Sequence, residues 1–263
     1  MLAAAWFARR KGISYYLMSE VYLRQPRSRW KAVVKGPFLR RFLARAAGGL
    51  PTGTLAKEYL MFYGLKEDRL CFVPNSPDIE LLKEVGQTYW DTPKVKLRRE
   101  LGLDEEPMVL FVGRLLALKN VDKLIAAAAR VSLNHPCQLV IIGSGPEDSR
   151  LRDLARCSAI SDRIRFPGFV SPRELPKWYS AADVFALPSY DETWGVVVLE
   201  ALSCGCPVVV SDMVGSGPDV INTPEVGTIV PANNVDALAT GLQKHIRQQL
   251  PAREVASLWA SVA

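Results

Sequence analysis

The sequence predicts an α/β protein: a doubly wound parallel sheet preceded by a partial second α/β domain. Three observations lead there. Six short apolar runs, near 108–112, 138–142, 164–166, 183–187, 207–211 and 227–230, alternate with helical patterns near 120–133, 147–155, 173–180, 195–204 and 234–249. Such regular alternation argues for a parallel sheet with crossover helices. The length of 263 residues suits one large domain or two small ones. The first 74 residues also alternate, but they are fewer than the roughly 100–150 of an ordinary domain.

In chain order, Met1–Arg10 reads as a helix, Ile13–Met18 as a strand, and Pro37–Ala46 as a helix. Gly49–Thr52 reads as a strand end, Ala56–Tyr63 as a helix and Leu70–Val73 as a strand. Pro74-Asn75-Ser76-Pro77 is a break, and Gly86–Pro93 has the composition of a linker. The expected division is 1–80 for the partial first domain, 81–106 for a linker, 107–250 for the main domain and 251–263 for a tail. No internal repeat or low-complexity tract is visible.

Composition is that of an ordinary globular protein, 49% apolar and 23% charged. No apolar run approaches the eighteen or so residues that cross a bilayer. Leu2–Ala8 is a short apolar start with no basic residue before it, a poor match to a signal peptide. The five cysteines, at 71, 137, 157, 204 and 206, have no ligand spacing with histidine. Cys204 and Cys206 read as small packing residues beside a strand, and a reducing cytoplasm fits best.

Charge is uneven. Residues 1–50 hold eleven Lys/Arg and one Glu, a net +10, which leaves −4 on the other 213 residues. Leu39, Phe42, Leu43 and Ala46 share one helical face, with Arg40, Arg41 and Arg45 opposite. One reading is a peripheral contact with an anionic membrane surface at the cytoplasmic face. The plainer reading, which the pattern favours, is a helix packed on a sheet with its basic face in solvent. No nucleic-acid motif accompanies the charge, so no nucleic-acid partner is expected.

The densest chemistry lies in Asp191–Val210, DETWGVVVLEALSCGCPVVV. Glu192-Thr193-Trp194-Gly195 reads as a loop after the apolar run Val184–Leu187, and Val196–Leu202 as a buried helix ended by Gly205 and Pro207. A helix starting at a glycine beneath a strand end directs unpaired N–H groups and a positive dipole end into the crevice, a setting for anions. Glu200 lies inside that helix, where a charge is costly unless it meets a polar partner or ligand.

This segment resembles the E-x7-E signature of retaining, nucleotide-sugar-dependent glycosyltransferases of family 4, which have the two-domain GT-B fold. The resemblance continues through FVGRLLALKNVDKLIAAA (Phe111–Ala128), LVIIGSGPE (Leu139–Glu147), RIRFPGFV (Arg163–Val170) and ADVFALPSYDETWG (Ala182–Gly195), covering roughly residues 107–231. GTLAKEYLMFYGLKEDRLCFVPN (Gly53–Asn75) looks like the end of the family's acceptor domain. The glycine-rich loops that open that domain in the family have no counterpart here, so an N-terminally incomplete chain is expected, or a naturally shortened homologue.

The resemblance implies a donor site. Arg114 and Lys119 would grip the diphosphate, supplying without a metal the charge a departing diphosphate needs. Glu200 would hold the vicinal ribose hydroxyls, for which a carboxylate's two acceptor oxygens are suited. Glu192, the catalytic candidate, would face the donor sugar. Backbone N–H groups around Trp194, Gly195 and Val196 would meet phosphate, Gly143 and Gly145 would line the pocket, and Phe169 would lie near the base. Trp194 stands where Phe is more usual, and Asn120 replaces a common glycine. Gly143-Ser144-Gly145-Pro146 matches a dinucleotide fingerprint only in part, because Asp148 occupies the third glycine position. His135, in an interstrand loop, and His245, on a basic helix, read as surface residues, and the front-face attack that the resemblance implies requires no histidine base in this half.

The implied activity is transfer from a nucleotide-diphosphate sugar to a glycan or lipid-linked acceptor, with no cofactor beyond the nucleotide sugar. Two alternatives stand beside it: a module that binds the nucleotide sugar without transfer, and a GT-B sugar epimerase, for which no acid/base pair is identifiable.

Overall fold

The computed structural model describes residues 2–23 and 29–260. The chain divides into two compact units, residues 1–75 and 76–263.

In the first unit, α1 (Leu2–Arg10), β1 (Tyr16–Ser19), α2 (Arg29–Leu43), β2 (Gly48–Pro51) and α3 (Thr54–Phe62) follow in order. The strands β1 and β2 pair in parallel from Tyr16↔Gly48 to Ser19↔Pro51. Leu17, Leu43, Ala46, Leu60, Tyr63 and Leu65 form a small core, with Leu39 and Phe42 packed against it. Arg40, Arg41 and Arg45 are exposed, so this stretch has the amphipathic faces its sequence predicts. The helix begins earlier than expected and takes Pro37 into its interior. Leu70–Val73 does not form a strand. It runs beside β2 through Cys71 N–H to the Gly49 carbonyl (3.0 Å) and Val73 N–H to the Pro51 carbonyl (2.9 Å). Only Gly49↔Leu70 makes a bridge, because Pro51 has no N–H to continue the ladder.

The second unit opens with α4 (Ile79–Trp90) and α5 (Lys94–Glu100). The expected linker over 81–106 is therefore largely helical. Asp78 caps α4 by accepting from Leu81 N–H at 3.1 Å. Gly86, the start of the stretch with linker composition, is a buried helical position. The sheet follows, with β3 (Met108–Val112), α6 (Val121–Ser132), β4 (Gln138–Ile142), α7 (Asp148–Arg156), β5 (Ile164–Gly168) and α8 (Leu175–Ala181). It continues through β6 (Val184–Leu187), α9 (Val196–Ser203), β7 (Val208–Ser211), α10 (Gly217–Val220), β8 (Gly227–Val230) and α11 (Val235–Gln248). The expected C-terminal tail holds a further helix, α12 (Ala252–Ala260), which buries Val255 and Trp259.

All six strands are parallel, in the order β5-β4-β3-β6-β7-β8. The order reverses between β3 and β6, where doubly wound sheets place their ligand crevice, at the strands' C-terminal edge. Every residue of β3, β4, β6 and β7 is buried, as helices on both faces of a sheet require. At the opposite edge, the Asp183 carboxylate accepts from Met108 N–H (2.7 Å) and from the Arg98 guanidinium. Arg98 also donates to the carbonyls of Ala181, Glu105 and Glu106 at 2.9–3.0 Å, tying α5 to the sheet.

Candidate functional site

Four loops meet at the C-terminal edge of the sheet, and their backbones hold one another. The loop after β3 receives the one after β4, with Leu115 N–H donating to the Ser144 carbonyl (2.9 Å) and Glu147 N–H to the Leu115 carbonyl (3.1 Å). Gly143 has φ +133°, and a Cβ there would lie 1.9 Å from the Gly113 carbonyl oxygen, so no side chain fits. The loop after β6 is tied to the loop after β7 through Gly215 N–H to the Glu192 carbonyl and Ser216 N–H to the Trp194 carbonyl, both 3.0 Å. Across the switch point, Tyr190 N–H donates to the Leu118 carbonyl at 2.9 Å.

Asn120 strengthens that junction. It is buried in the left-handed region at φ +53°, ψ +35°, and its side-chain amide donates to the Pro188 carbonyl at 3.0 Å. Asparagine is among the few residues besides glycine that adopt this conformation readily, which accounts for its place here.

On this frame the Lys119 ammonium and the Glu192 carboxylate form an ion pair, each side chain about 15% exposed (15% and 16%). Gly195 stands at the N-cap of α9 with φ +88° and no side-chain cap. A Cβ there would approach the Glu192 Cγ to 3.3 Å, so the glycine lets the carboxylate stem lie close to the helix start. The first-turn N–H groups of a helix have no intrahelical acceptor, and here Val196 carries one of them.

The structure thus brings together Lys119, Glu192 and Gly195, and it packs Gly143 and Gly145 beneath the loop that carries Arg114. Arg114 itself is exposed, with no ion pair among the described residues. Trp194 is 3% exposed and belongs to the core, so its indole is a packing group and only its backbone lies at the loop. Phe169 follows the edge strand β5 and is 76% exposed.

Glu200 occupies a separate corner. Half-buried on α9, it accepts a hydrogen bond from the Tyr179 hydroxyl at 2.8 Å, and burial raises its pKa above the usual carboxylate value. It lines a cleft of about 530 Å³ whose other walls include Leu81, Leu82 and Val85 of α4, Pro172 before α8, and Leu175 and Pro176 at the start of α8. The walls are mostly apolar with a few polar groups, the common character of small-molecule pockets. Tyr179 was not anticipated: it is wholly buried, and its pairing with Glu200 across 21 residues leaves no periodic trace in the sequence.

One expectation is corrected. His245 is not a surface residue; it is 2% exposed, and its Nε2 lies 3.0 Å from the Thr228 hydroxyl. It sits on the inward face of α11 with Leu238, Leu242 and Ile246, and burial lowers its pKa to about 4. No cluster of three or more His, Cys, Asp or Glu suited to a metal ion occurs among the described residues. No described helix is long and apolar enough to cross a membrane.

Comparison with known proteins identifies the family and the fold. The family model for glycosyl transferases group 1 matches residues 94–257. An uncharacterized glycosyltransferase of Methanocaldococcus jannaschii is 35% identical over 209 residues, covering 72% of this chain and 53% of the relative. A D-inositol 3-phosphate glycosyltransferase of Acidothermus cellulolyticus is 34% identical over 215 residues, covering 76% of this chain and 46% of the relative. The chain therefore spans about half the length of the curated relatives it matches. Among solved structures, the apo lipopolysaccharide outer core galactosyltransferase WaaB superposes with a TM-score of 0.76 at 20% identity, over 99% of this chain and 68% of that one. HepE of Anabaena in complex with UDP gives 0.71 at 19%, over 98% and 74%. These last two likenesses concern the fold, which is GT-B with a small two-stranded first sheet. On the family match, the sheet order and the two glutamates together, the chain belongs to the glycosyl transferases group 1 family.

Proposed function

We propose that this chain binds a nucleotide-diphosphate sugar at the β3/β6 switch point and transfers the sugar, with retention and without a metal, to a glycan or lipid-linked acceptor. The work of such an enzyme would lie in envelope or polysaccharide synthesis. The observation that carries the reading is the placement of Lys119 and Glu192 across the switch point, with Glu200 on an apolar cleft and on the helix that starts at Gly195. In this reading Arg114 and Lys119 neutralise the diphosphate as its charge grows, aided by the N–H groups at Gly195 and Val196. Glu192 holds the donor sugar, and Glu200 accepts from the ribose diol while the base lies against the apolar cleft wall and Phe169. Residues 107–250 then form the donor-binding part and 1–80 the acceptor side. UDP bound to the similarly folded HepE supports a nucleoside diphosphate as the ligand class.

The test is binding of UDP, GDP and ADP, followed by release of nucleotide from the corresponding sugars in the presence of candidate acceptors. Binding with transfer supports the enzyme. Binding without transfer in the complete protein would favour a nucleotide-sugar-binding module.

For the first unit we propose contact with an anionic membrane surface. Exposed Phe38 and Phe62 support it, with the Arg40 guanidinium 5.8 Å over the Phe62 ring. Co-sedimentation with vesicles containing anionic phospholipid, compared with neutral vesicles, tests this directly.

A further inference from the structure

Glu200 is placed on its helix by backbone geometry, but a glutamate side chain has three rotatable bonds and must be held if it is to meet a diol in one geometry. The group that holds it is Tyr179. This side chain is wholly buried in α8, its ring packed edge-on against Phe185 at 5.8 Å between centroids. Its hydroxyl donates to Glu200 Oε2 at 2.8 Å. A wholly buried phenol packed against Phe185 has little freedom to follow the carboxylate, so the carboxylate must come to it. With Oε2 engaged, Oε1 remains as the acceptor edge for a ligand in the cleft that Glu200 lines. The bond also favours the charged form of a carboxylate that burial pushes toward protonation, keeping it an acceptor.

We infer that Tyr179 is a positioning residue for nucleotide recognition, fixing the Glu200 carboxylate so that it distinguishes a ribose from a deoxyribose. The inference rests on the donor-site reading of Glu200 given above. It adds a residue outside the cleft that touches no ligand and acts only through the carboxylate.

The experiment compares each ribonucleoside diphosphate that binds with its 2′-deoxy counterpart, by calorimetric titration of the wild type, Tyr179→Phe, Glu200→Ala and the double variant. The wild type is expected to prefer the ribonucleotide by about tenfold, the value of one good hydrogen bond. Tyr179→Phe keeps the ring and its packing, and its preference is expected to fall to about two- to threefold while the affinity for the deoxynucleotide stays unchanged. In the Glu200→Ala background, loss of the hydroxyl is expected to have no further effect, because the two residues act as one unit. An undiminished ribose preference in Tyr179→Phe overturns the inference while leaving the site reading intact. So does an equal loss for both nucleotides, or a further loss in the double variant. A wild type that binds no diphosphate, or does not distinguish the two sugars, overturns the site reading and this inference with it.

Discussion

Lys119 and Glu192, 73 residues apart in sequence, form an ion pair across the point where the strand order of the sheet reverses. Both side chains are about five-sixths buried, so the pair is less screened than a surface bridge. In the donor site proposed above, a diphosphate would compete with Glu192 for the lysine, and the displaced carboxylate would then be available to the sugar. Glu192→Gln is therefore expected to tighten nucleoside diphosphate binding, by about 3- to 10-fold, while lowering sugar transfer by about 10²-fold or more. Lys119→Ala should weaken the same binding about 10- to 100-fold, the value of a charged hydrogen bond. Opposite signs for the two variants in one titration series would separate this arrangement from a simple contact surface.

The glycines at the site make a second prediction. Gly143→Ala would place a methyl 1.9 Å from the Gly113 carbonyl oxygen, forcing the loop that carries Arg114 to move. Gly168, at φ +83°, has nothing within 4 Å of such a methyl and bears only the conformational cost, of order 1 kcal/mol. Gly143→Ala should reduce nucleotide affinity well beyond Gly168→Ala, whereas both should lower the melting temperature.

A third prediction concerns acid stability. His245 is held neutral at about 4 against an unfolded value near 6.5. Between those values the unfolded chain binds more protons, so stability rises with pH across pH 4 to 6.5 and is lost as pH falls through it, by up to about 3 kcal/mol. His245→Gln should flatten this segment of a melting-temperature profile. Glu200 acts oppositely: its raised pKa makes the folded state slightly less stable as pH rises from the unfolded carboxylate value through the folded one. In Glu200→Gln that slope should disappear.

Far from the site, Asp183 compensates Arg98 at the sheet's other edge, each side chain 4% exposed. Asp183→Asn leaves a buried guanidinium without its counter-charge and is expected to cost about 3–5 kcal/mol in chemical denaturation. Nucleotide affinity of the folded fraction should not change, because the substitution sits at the N-terminal ends of β3 and β6.

The sheet was legible because its strands are compact apolar runs separated by amphipathic helices, and every expected strand of the second unit falls within two residues of an observed one. Errors arose where one residue type serves two purposes. Gly86 opens a stretch of linker composition, but in α4 it allows close packing, with a Cβ there only 3.2 Å from the Cys204 Cα. Pro37 looks like a helix start and lies inside α2. The terminal segment 251–263 is expected as a tail, yet Val255 and Trp259 belong to the core. At the site, the E-x7-E spacing pointed to Glu192 and Glu200, but neither side-chain partner, Lys119 nor Tyr179, follows from spacing. Those pairings depend on which strands are neighbours, and strand order is a property of the folded sheet.

The most direct test of the donor site is a thermal-shift series with UDP, GDP and ADP, without added metal, on the wild type, Arg114→Ala and Glu200→Ala. Ligand at a hundredfold over its Kd stabilises by about 2.7 kcal/mol, a rise of several degrees for a chain of this size. One nucleotide is expected to give that rise in the wild type, and neither variant should show it. A cooperatively melting wild type that responds to none of the three nucleotides would contradict the donor site.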